Sequence, residues 1–185
     1  VGAAFTNVLM SPAQVDITKY SDWRTDPFAN PNGYYNEYFA NPYFTLDNNR
    51  NDTRNNYFQG TMELKWNPIT PLTFTGRVGL STRNVFTKTY TGKFTYSDYT
   101  KDPLGANSGG NKIDIPGFVG DTGAYANQLV VDLFGEYKAK LSDDFSLTFV
   151  GGFQSRDNQT KNLAVNANGL VISGLYNVGN TQTNL

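Results

Sequence analysis

At 185 residues, with 15 basic and 16 acidic side chains, the chain is long enough for one domain, and its net charge of −1 offers no basic face for nucleic acid. It has neither cysteine nor histidine, which excludes disulfides, thiolate metal sites, the usual zinc sites, and the Ser–His–Asp and Cys–His nucleophile pairs. Mean hydropathy is −0.48, and no stretch approaches the ~18 consecutive apolar residues of a transmembrane helix. A transmembrane barrel is not excluded by this, because it carries its apolar surface in alternate positions.

Val1 is followed by Gly-Ala-Ala-Phe, with no basic segment ahead of it and no small-residue cleavage site after it. The other end, Asn180-Thr-Gln-Thr-Asn-Leu185, has no apolar–aromatic closing strand. Both ends are expected to be artificial, with the chain an internal piece of something larger. Residues 1–52 are rich in Asn, Pro, Asp and aromatics, with turn signals at Asn30-Pro31-Asn32-Gly33 and Asn41-Pro42. They read as mostly one long loop, far above the usual loop length, and so as functional or disordered.

A period of two then begins, in a hairpin over 53–96. Phe58, Gly60, Met62, Leu64 and Trp66 alternate with Tyr57, Gln59, Thr61, Glu63 and Lys65, the pattern of a strand with one dry and one wet face. Asn67-Pro68-Ile69-Thr70-Pro71 is expected to end the strand in a short turn. Leu72, Phe74, Gly76, Val78 and Leu80 then share one face, opposite Thr73, Thr75, Arg77, Gly79 and Ser81. Residues 97–123 read as a second long loop. A second hairpin spans 124–158. In its first strand Tyr125, Leu129, Val131, Leu133, Tyr137 and Leu141 oppose Gln128, Asp132, Glu136, Lys138 and Lys140. After a tight turn at Ser142-Asp143-Asp144, Phe145, Leu147, Phe149, Gly151 and Phe153 oppose Ser146, Thr148, Val150, Gly152, Gln154 and Arg156. Residues 159–185 are a loop or the start of another strand.

Both hairpins have short turns at one end and long connections at the other, the asymmetry of outer-membrane barrels. A strand of about 13 residues at ~3.3 Å each, tilted by ~40°, rises about 33 Å, enough to cross an apolar band of ~25 Å. The expected fold is therefore all-β, part of a large antiparallel transmembrane β-barrel whose other strands lie elsewhere, since four strands cannot close one. Phe58, Met62, Leu64, Trp66, Phe74, Val78, Leu129, Val131, Leu133, Leu147 and Phe149 would face lipid. Glu63, Lys65, Arg77, Asp132, Glu136 and Arg156 would face the lumen, as ion pairs or plug contacts rather than substrate ligands. A soluble β-sandwich with long loops has an inner face that alternates in the same way.

Three further features have plain structural readings. Asp121-Thr122-Gly123 matches the aspartic-protease triplet, but that chemistry needs a second carboxylate to share its proton, and the triplet reads as a turn. Asp47-x-Asn49-x-Asn51 imitates the start of an EF-hand, but Asp52 stands where Gly belongs and Phe58 where Glu belongs. A looser calcium site on the loop stays open beside Asx-turns; otherwise no cofactor is expected. Trp23, Tyr34, Tyr35, Tyr38, Phe39 and Tyr43 crowd one loop region, where they either pin the loop or contact a substrate or partner.

The segment Asn41-Pro42-Tyr43-Phe44-Thr45-Leu46-Asp47-Asn48-Asn49-Arg50-Asn51-Asp52 resembles a recurring stretch of the SusC/RagA family of TonB-dependent transporters, with Phe44 where Trp is more usual. Leu64-Lys65-Trp66, the proline turn and Leu72-Thr73-Phe74-Thr75-Gly76-Arg77-Val78-Gly79 resemble that family's hairpin, and Leu175-Tyr176-Asn177-Val178 a later loop. The resemblance covers residues 41–95 well and the rest loosely. It implies a 22-stranded barrel in the bacterial outer membrane, with long loops at the cell surface and an N-terminal plug absent from this chain. It also implies outer-membrane lipids, a SusD-like surface lipoprotein and, through the absent N-terminal region, TonB as partners. The function implied is import of a nutrient such as oligosaccharide or peptide, not catalysis. The competing readings are a soluble surface β-sandwich, as adhesin or glycan-binding module, and an outer-membrane enzyme of barrel type.

Overall fold

The computed structural model describes residues 2–36, 38–101 and 112–182. Four strands, β1 (Asn49–Ile69), β2 (Leu72–Thr91), β3 (Phe118–Lys140) and β4 (Ser146–Asn168), form one antiparallel sheet in the order β1-β2-β3-β4. Among the described residues there is no second sheet stacked on this one. Three short helices, α1 (Gly2–Leu9), α2 (Pro42–Asn48) and α3 (Asp98–Lys101), and a 3₁₀ turn at Ile17–Tyr20 complete the elements. The chain divides into two compact units. A loop unit comprises Val1–Thr53, Thr87–Thr122 and Ala164–Leu185, and a sheet unit comprises Arg54–Phe86 and Gly123–Leu163.

In the sheet unit, alternation puts the large apolar side chains on one face and leaves them uncovered: Met62 is 77% exposed and Leu64 73%. Trp66 stacks on Phe74, ring centroids 5.8 Å apart. Phe74 also lies over Gly135, where an added Cβ would come 3.3 Å from its ring, so the aromatic covers a gap that the glycine leaves. The hairpin turns are tight. The Pro71 carbonyl of the first turn accepts from Lys138 N–H of the neighbouring β3 at 2.8 Å, and at the second turn Leu141 and Ser142 N–H both donate to the Phe145 carbonyl, at 2.9 and 3.1 Å.

The strands depart from the sequence expectations at their ends. Pro68 does not stop β1, which runs on to Ile69; β1 has one neighbour in this sheet, and an edge strand tolerates a missing N–H. β1 begins at Asn49 and β4 ends at Asn168, well outside the alternating stretches. There the sequence is polar on both faces, as in Asn49-Arg50-Asn51-Asp52 and Asp157-Asn158-Gln159, and backbone pairing continues the ladder without a buried face to mark it. The first long loop is likewise not irregular throughout, since it contains α1, the 3₁₀ turn and α2. Asp121-Thr122 lies within β3 rather than a turn; Asp121 pairs with Lys88 at 3.3 Å, and Thr122 Oγ1 donates to the Thr87 carbonyl at 3.4 Å. Of the second loop, residues 102–111 lie outside the described residues.

The loop unit is held by polar hubs. Asn41 is fully buried: its Nδ2 donates to the carbonyls of Tyr20 (2.8 Å) and Ala29 (2.7 Å), and its Oδ1 accepts from Tyr43 N–H (2.9 Å), capping α2. Pro42 follows at the first helical position, where no N–H is needed. Asn48 exchanges bonds with Gly92, through its side chain at 3.1 Å and its own carbonyl at 2.7 Å. Asn180 ties down residues 172–180 with bonds to both polar backbone groups of Ile172 and to the Leu175 carbonyl. The small apolar core is Val119, Ala167 and Leu170, with Tyr176 and Val178 against it. Gly117 (φ +83°) approaches Leu170 so closely that an added Cβ would lie 2.7 Å from that side chain.

Candidate functional site

The loop unit contains a cavity of about 240 Å³. Tyr34, Tyr35, Tyr96 and Tyr99 line it, together with Asn32 and Asn36. Asx-type turns shape its wall: Asn36 Oδ1 accepts from the N–H groups of Tyr38 and Phe39, both at 3.0 Å, and Asn30 Oδ1 accepts from Asn32 N–H at 3.0 Å. Asn32 Oδ1 in turn accepts from Ser97 N–H at 2.8 Å, which joins this wall to the segment carrying Tyr96 and Tyr99. Tyr20, Tyr34 and Tyr35 pack as a ring cluster with centroids 4.7–5.5 Å apart. Burial, reinforced by the Tyr35 hydroxyl, holds the Tyr34 phenol well above its usual value; burial also raises Tyr96. Both therefore stay neutral phenols at physiological pH, able to donate and accept. Among the described residues, no Asp or Glu lines this cavity.

The six loop aromatics singled out in the sequence are not gathered into one surface. Tyr34 and Tyr35 line the cavity, whereas Tyr38 is 73% exposed and Phe39 and Tyr43 are half-buried. Trp23 pins the fold. It packs edge-on against Phe44 at 4.9 Å, its indole N–H donates to Asp47 at 3.0 Å, and the Arg24 guanidinium lies 4.4 Å from its ring centroid. Asp47 also accepts from Arg24 at 2.9 Å and faces Arg50 at 3.8 Å. The Trp23 hydrogen bond, then the Arg24 bond and the charges of Arg24 and Arg50, hold this carboxyl below the ordinary carboxylate range. Its oxygens are thus already engaged by protein donors, and among the described residues no three His, Cys, Asp or Glu side chains are grouped to hold a metal ion. Tyr96 and Tyr99 escaped the sequence reading; the signal was the Tyr-Ser-Asp-Tyr pair at the edge of the second loop.

On the polar face of the sheet, Arg77 donates to Glu63 through Nε (2.9 Å) and Nη2 (2.6 Å), and Lys65 also meets Glu63 at 3.1 Å. Glu136 pairs with Lys138 at 2.9 Å, and Asp132 accepts from Gln154 at 2.7 Å. Arg156 has no ion-pair partner among the described residues. Further along this face, Tyr57 donates to Gln59 at 2.8 Å, Arg83 to Asn55 at 3.4 Å and Gln128 to Asn158 at 2.8 Å. On the other face, Phe58, Met62, Leu64, Trp66, Phe74, Val78, Leu129, Leu133, Leu147 and Phe149 are exposed and Val131 is half-buried.

The site and sheet thus define an all-β chain with one amphipathic antiparallel sheet and an asparagine- and tyrosine-rich loop unit. No family model and no curated protein matches the sequence. Among solved structures, the chain is similar to one described as "Structure of the RagAB peptide transporter", with a TM-score of 0.62 and 16% identity over 79% of this chain and 15% of that one. At that identity the likeness is one of fold, and the chain spans about 15% of the transporter chain's length.

Proposed function

We propose that this chain is an internal stretch of a TonB-dependent outer-membrane importer of the SusC/RagA type. The observation that carries the reading is the exposed apolar band of the sheet. From Phe58 to Trp66, at ~3.3 Å per residue and ~40° tilt, that band rises about 20 Å, most of the ~25 Å apolar belt of an outer-membrane barrel. Leaving so much apolar surface in water would be an aggregation hazard, whereas lipid covers it without a second protein layer. Trp66, Phe74, Tyr137 and Phe145 lie beside the short turns, where an interfacial aromatic girdle belongs. The similar fold in a peptide transporter supports transport rather than catalysis.

In this reading the polar face, with Glu63, Lys65, Arg77, Asp132, Glu136 and Arg156, lines the lumen, and the long loops stand at the cell surface. The cargo is a nutrient such as an oligosaccharide or peptide, taken up with a SusD-like lipoprotein and driven through TonB. The test is the intact mass and detergent requirement of the native protein. The expected result is a species several-fold heavier than 20.5 kDa, in the outer-membrane fraction, that precipitates without detergent. A soluble species near 20.5 kDa would overturn the proposal.

A further inference from the structure

Leu175-Tyr176-Asn177-Val178 is singled out by the sequence, and the importer reading gives it no task. In the loop unit Tyr176 packs against Val119, Ala167 and Leu170 and stacks on Tyr90, at the end of β2. The two ring centroids are 3.9 Å apart and the ring planes 22° from parallel. The Tyr176 hydroxyl oxygen lies beside Gly92, where an added Cβ would come 3.0 Å from it. Burial, and then the charge of Tyr90, raises the Tyr176 phenol, as expected of two hydroxyls held near each other. Both rings are half-buried, so each keeps an edge in contact with solvent. The other ring contacts between tyrosines are looser. Tyr20–Tyr34, Tyr20–Tyr35 and Tyr34–Tyr35 have centroids 4.7–5.5 Å apart and planes 45–87° apart. The chain has no cysteine, so no disulfide can join the 171–180 segment to β2.

We infer that Tyr90 and Tyr176 are an oxidative modification site, at which a one-electron oxidant joins the two rings as dityrosine and ties the 171–180 segment to β2. Each phenol gives its O–H hydrogen to the oxidant, as one proton and one electron. The two phenoxyl radicals then form one C–C bond between ring carbons next to the C–O carbon. The hydrogens on those carbons leave as protons, and both oxygens are reprotonated, which restores two phenols. The net loss is two hydrogens, and one hydrogen peroxide, acting through a peroxidase, takes them up as two waters. Separate tyrosyl radicals must find one another, whereas these are held in contact, which raises their effective concentration. The rings must turn from stacked toward edge-to-edge to bond. Tyr176 has room to turn, because Val171, Ile172 and Leu175 around it are exposed and nothing lies within 4 Å of the Cβ position of Gly174. The inference does not rest on the importer reading, since it needs only the pair and an oxidant.

The experiment treats the native full-length protein with hydrogen peroxide and a peroxidase, then digests it with trypsin for mass spectrometry. Trypsin cuts after Lys88, Lys93 and Lys161, so the product joins residues 89–93 to the peptide that begins at Asn162. Its mass is expected to be two hydrogens below the sum of the two peptides, with the blue fluorescence of dityrosine. Tyr90→Phe and Tyr176→Phe each keep the stacked ring and remove the hydroxyl, and each should abolish this peptide. Hydrogen exchange of the unoxidised variants, unchanged from the parent, would show that they fold. In the coupled parent, exchange at the amides of Leu175, Asn177 and Asn180, which close the turns of this segment, should slow about tenfold or more.

Dityrosine that maps to other pairs, such as Tyr34–Tyr35, with no Tyr90–Tyr176 peptide would overturn the inference. So would oxidation of Tyr90 or Tyr176 without coupling, or a coupled peptide that survives in either Phe variant. Coupling that leaves the exchange of the 171–180 segment unchanged would overturn its role as a tie. Each of these readouts is separate from the membrane fraction and mass that test the importer reading.

Discussion

The two units of this chain solve stabilisation in opposite ways. The sheet unit has long backbone ladders and almost no buried side chain; Thr75 and Gly123 are exceptions on strands otherwise open or half-open. The loop unit has little regular structure, yet it holds the buried residues Asn41, Phe44, Thr45, Asn48, Val119 and Leu170. The difference teaches what each region expects of its surroundings. In the proposed importer, lipid would cover the bare apolar face of the ladder, while the loop unit, which satisfies its own backbone through asparagine amides, would stand in water.

The largest expected effect comes from a charge placed in the middle of the apolar band. Met62→Arg should cost about 2–4 kcal/mol if that face meets the hydrocarbon core, read from urea titrations of folding into lipid vesicles. Thr61→Arg, one residue away on the polar face, should stay within about 0.5 kcal/mol. Equal costs at the two positions would break the comparison, because the faces would then not differ in their surroundings.

The second effect belongs to the loop unit. Asn41→Ala removes the α2 cap and strands the Tyr20 and Ala29 carbonyls, and should cost about 2–3 kcal/mol locally. Hydrogen exchange should accelerate at the amides of Tyr43–Asn49 and leave those of Arg54–Phe86 protected. Acceleration in both stretches would mean that the two regions are stabilised as one.

How much of this the sequence disclosed follows from the same contrast. Alternation made the apolar and polar faces of 57–66, 72–81, 128–141 and 145–156 legible, because successive side chains of a strand point to opposite faces and an amphipathic sheet therefore has a period of two. It went silent where both faces are wet, and the ends of β1 and β4 were missed for that reason. Pro68 misled because proline is a strand breaker only where its N–H is needed. In the loop unit no period exists to be read. The Asn41–Asp52 segment, singled out by resemblance alone, supplies the α2 cap Asn41, the buried Phe44 ring and the ion-pair hub Asp47. The cavity was half visible: Tyr34 and Tyr35 stood in a conspicuous cluster, but Tyr96 and Tyr99 reach it through hydrogen bonds of Ser97 and Thr100 to Asn32, contacts between residues far apart in sequence.

The smallest effect sharpens the comparison through pH. Asp47 is held ionised below the ordinary carboxylate range by Trp23, Arg24 and Arg50. A carboxyl whose folded pKa is depressed contributes stability above its unfolded value of ~3.9, and that contribution is lost as pH falls through the lower folded value. The loss is therefore confined to acid below ~3.9, and because Asp47 and Arg24 are both partly exposed it amounts to about 0.5 kcal/mol or less. Trp23 reports it directly. In a Trp66→Phe background it is the one remaining indole, and its emission should shift as the N–H···Asp47 bond weakens. Asp47→Asn keeps an oxygen for the indole but no charge for Arg24 and Arg50, so the acid transition should flatten while the neutral-pH emission changes little. A transition that persists unchanged in Asp47→Asn would assign the acid response to another carboxylate, and would leave the Trp23 anchor resting on Phe44 packing rather than on charge.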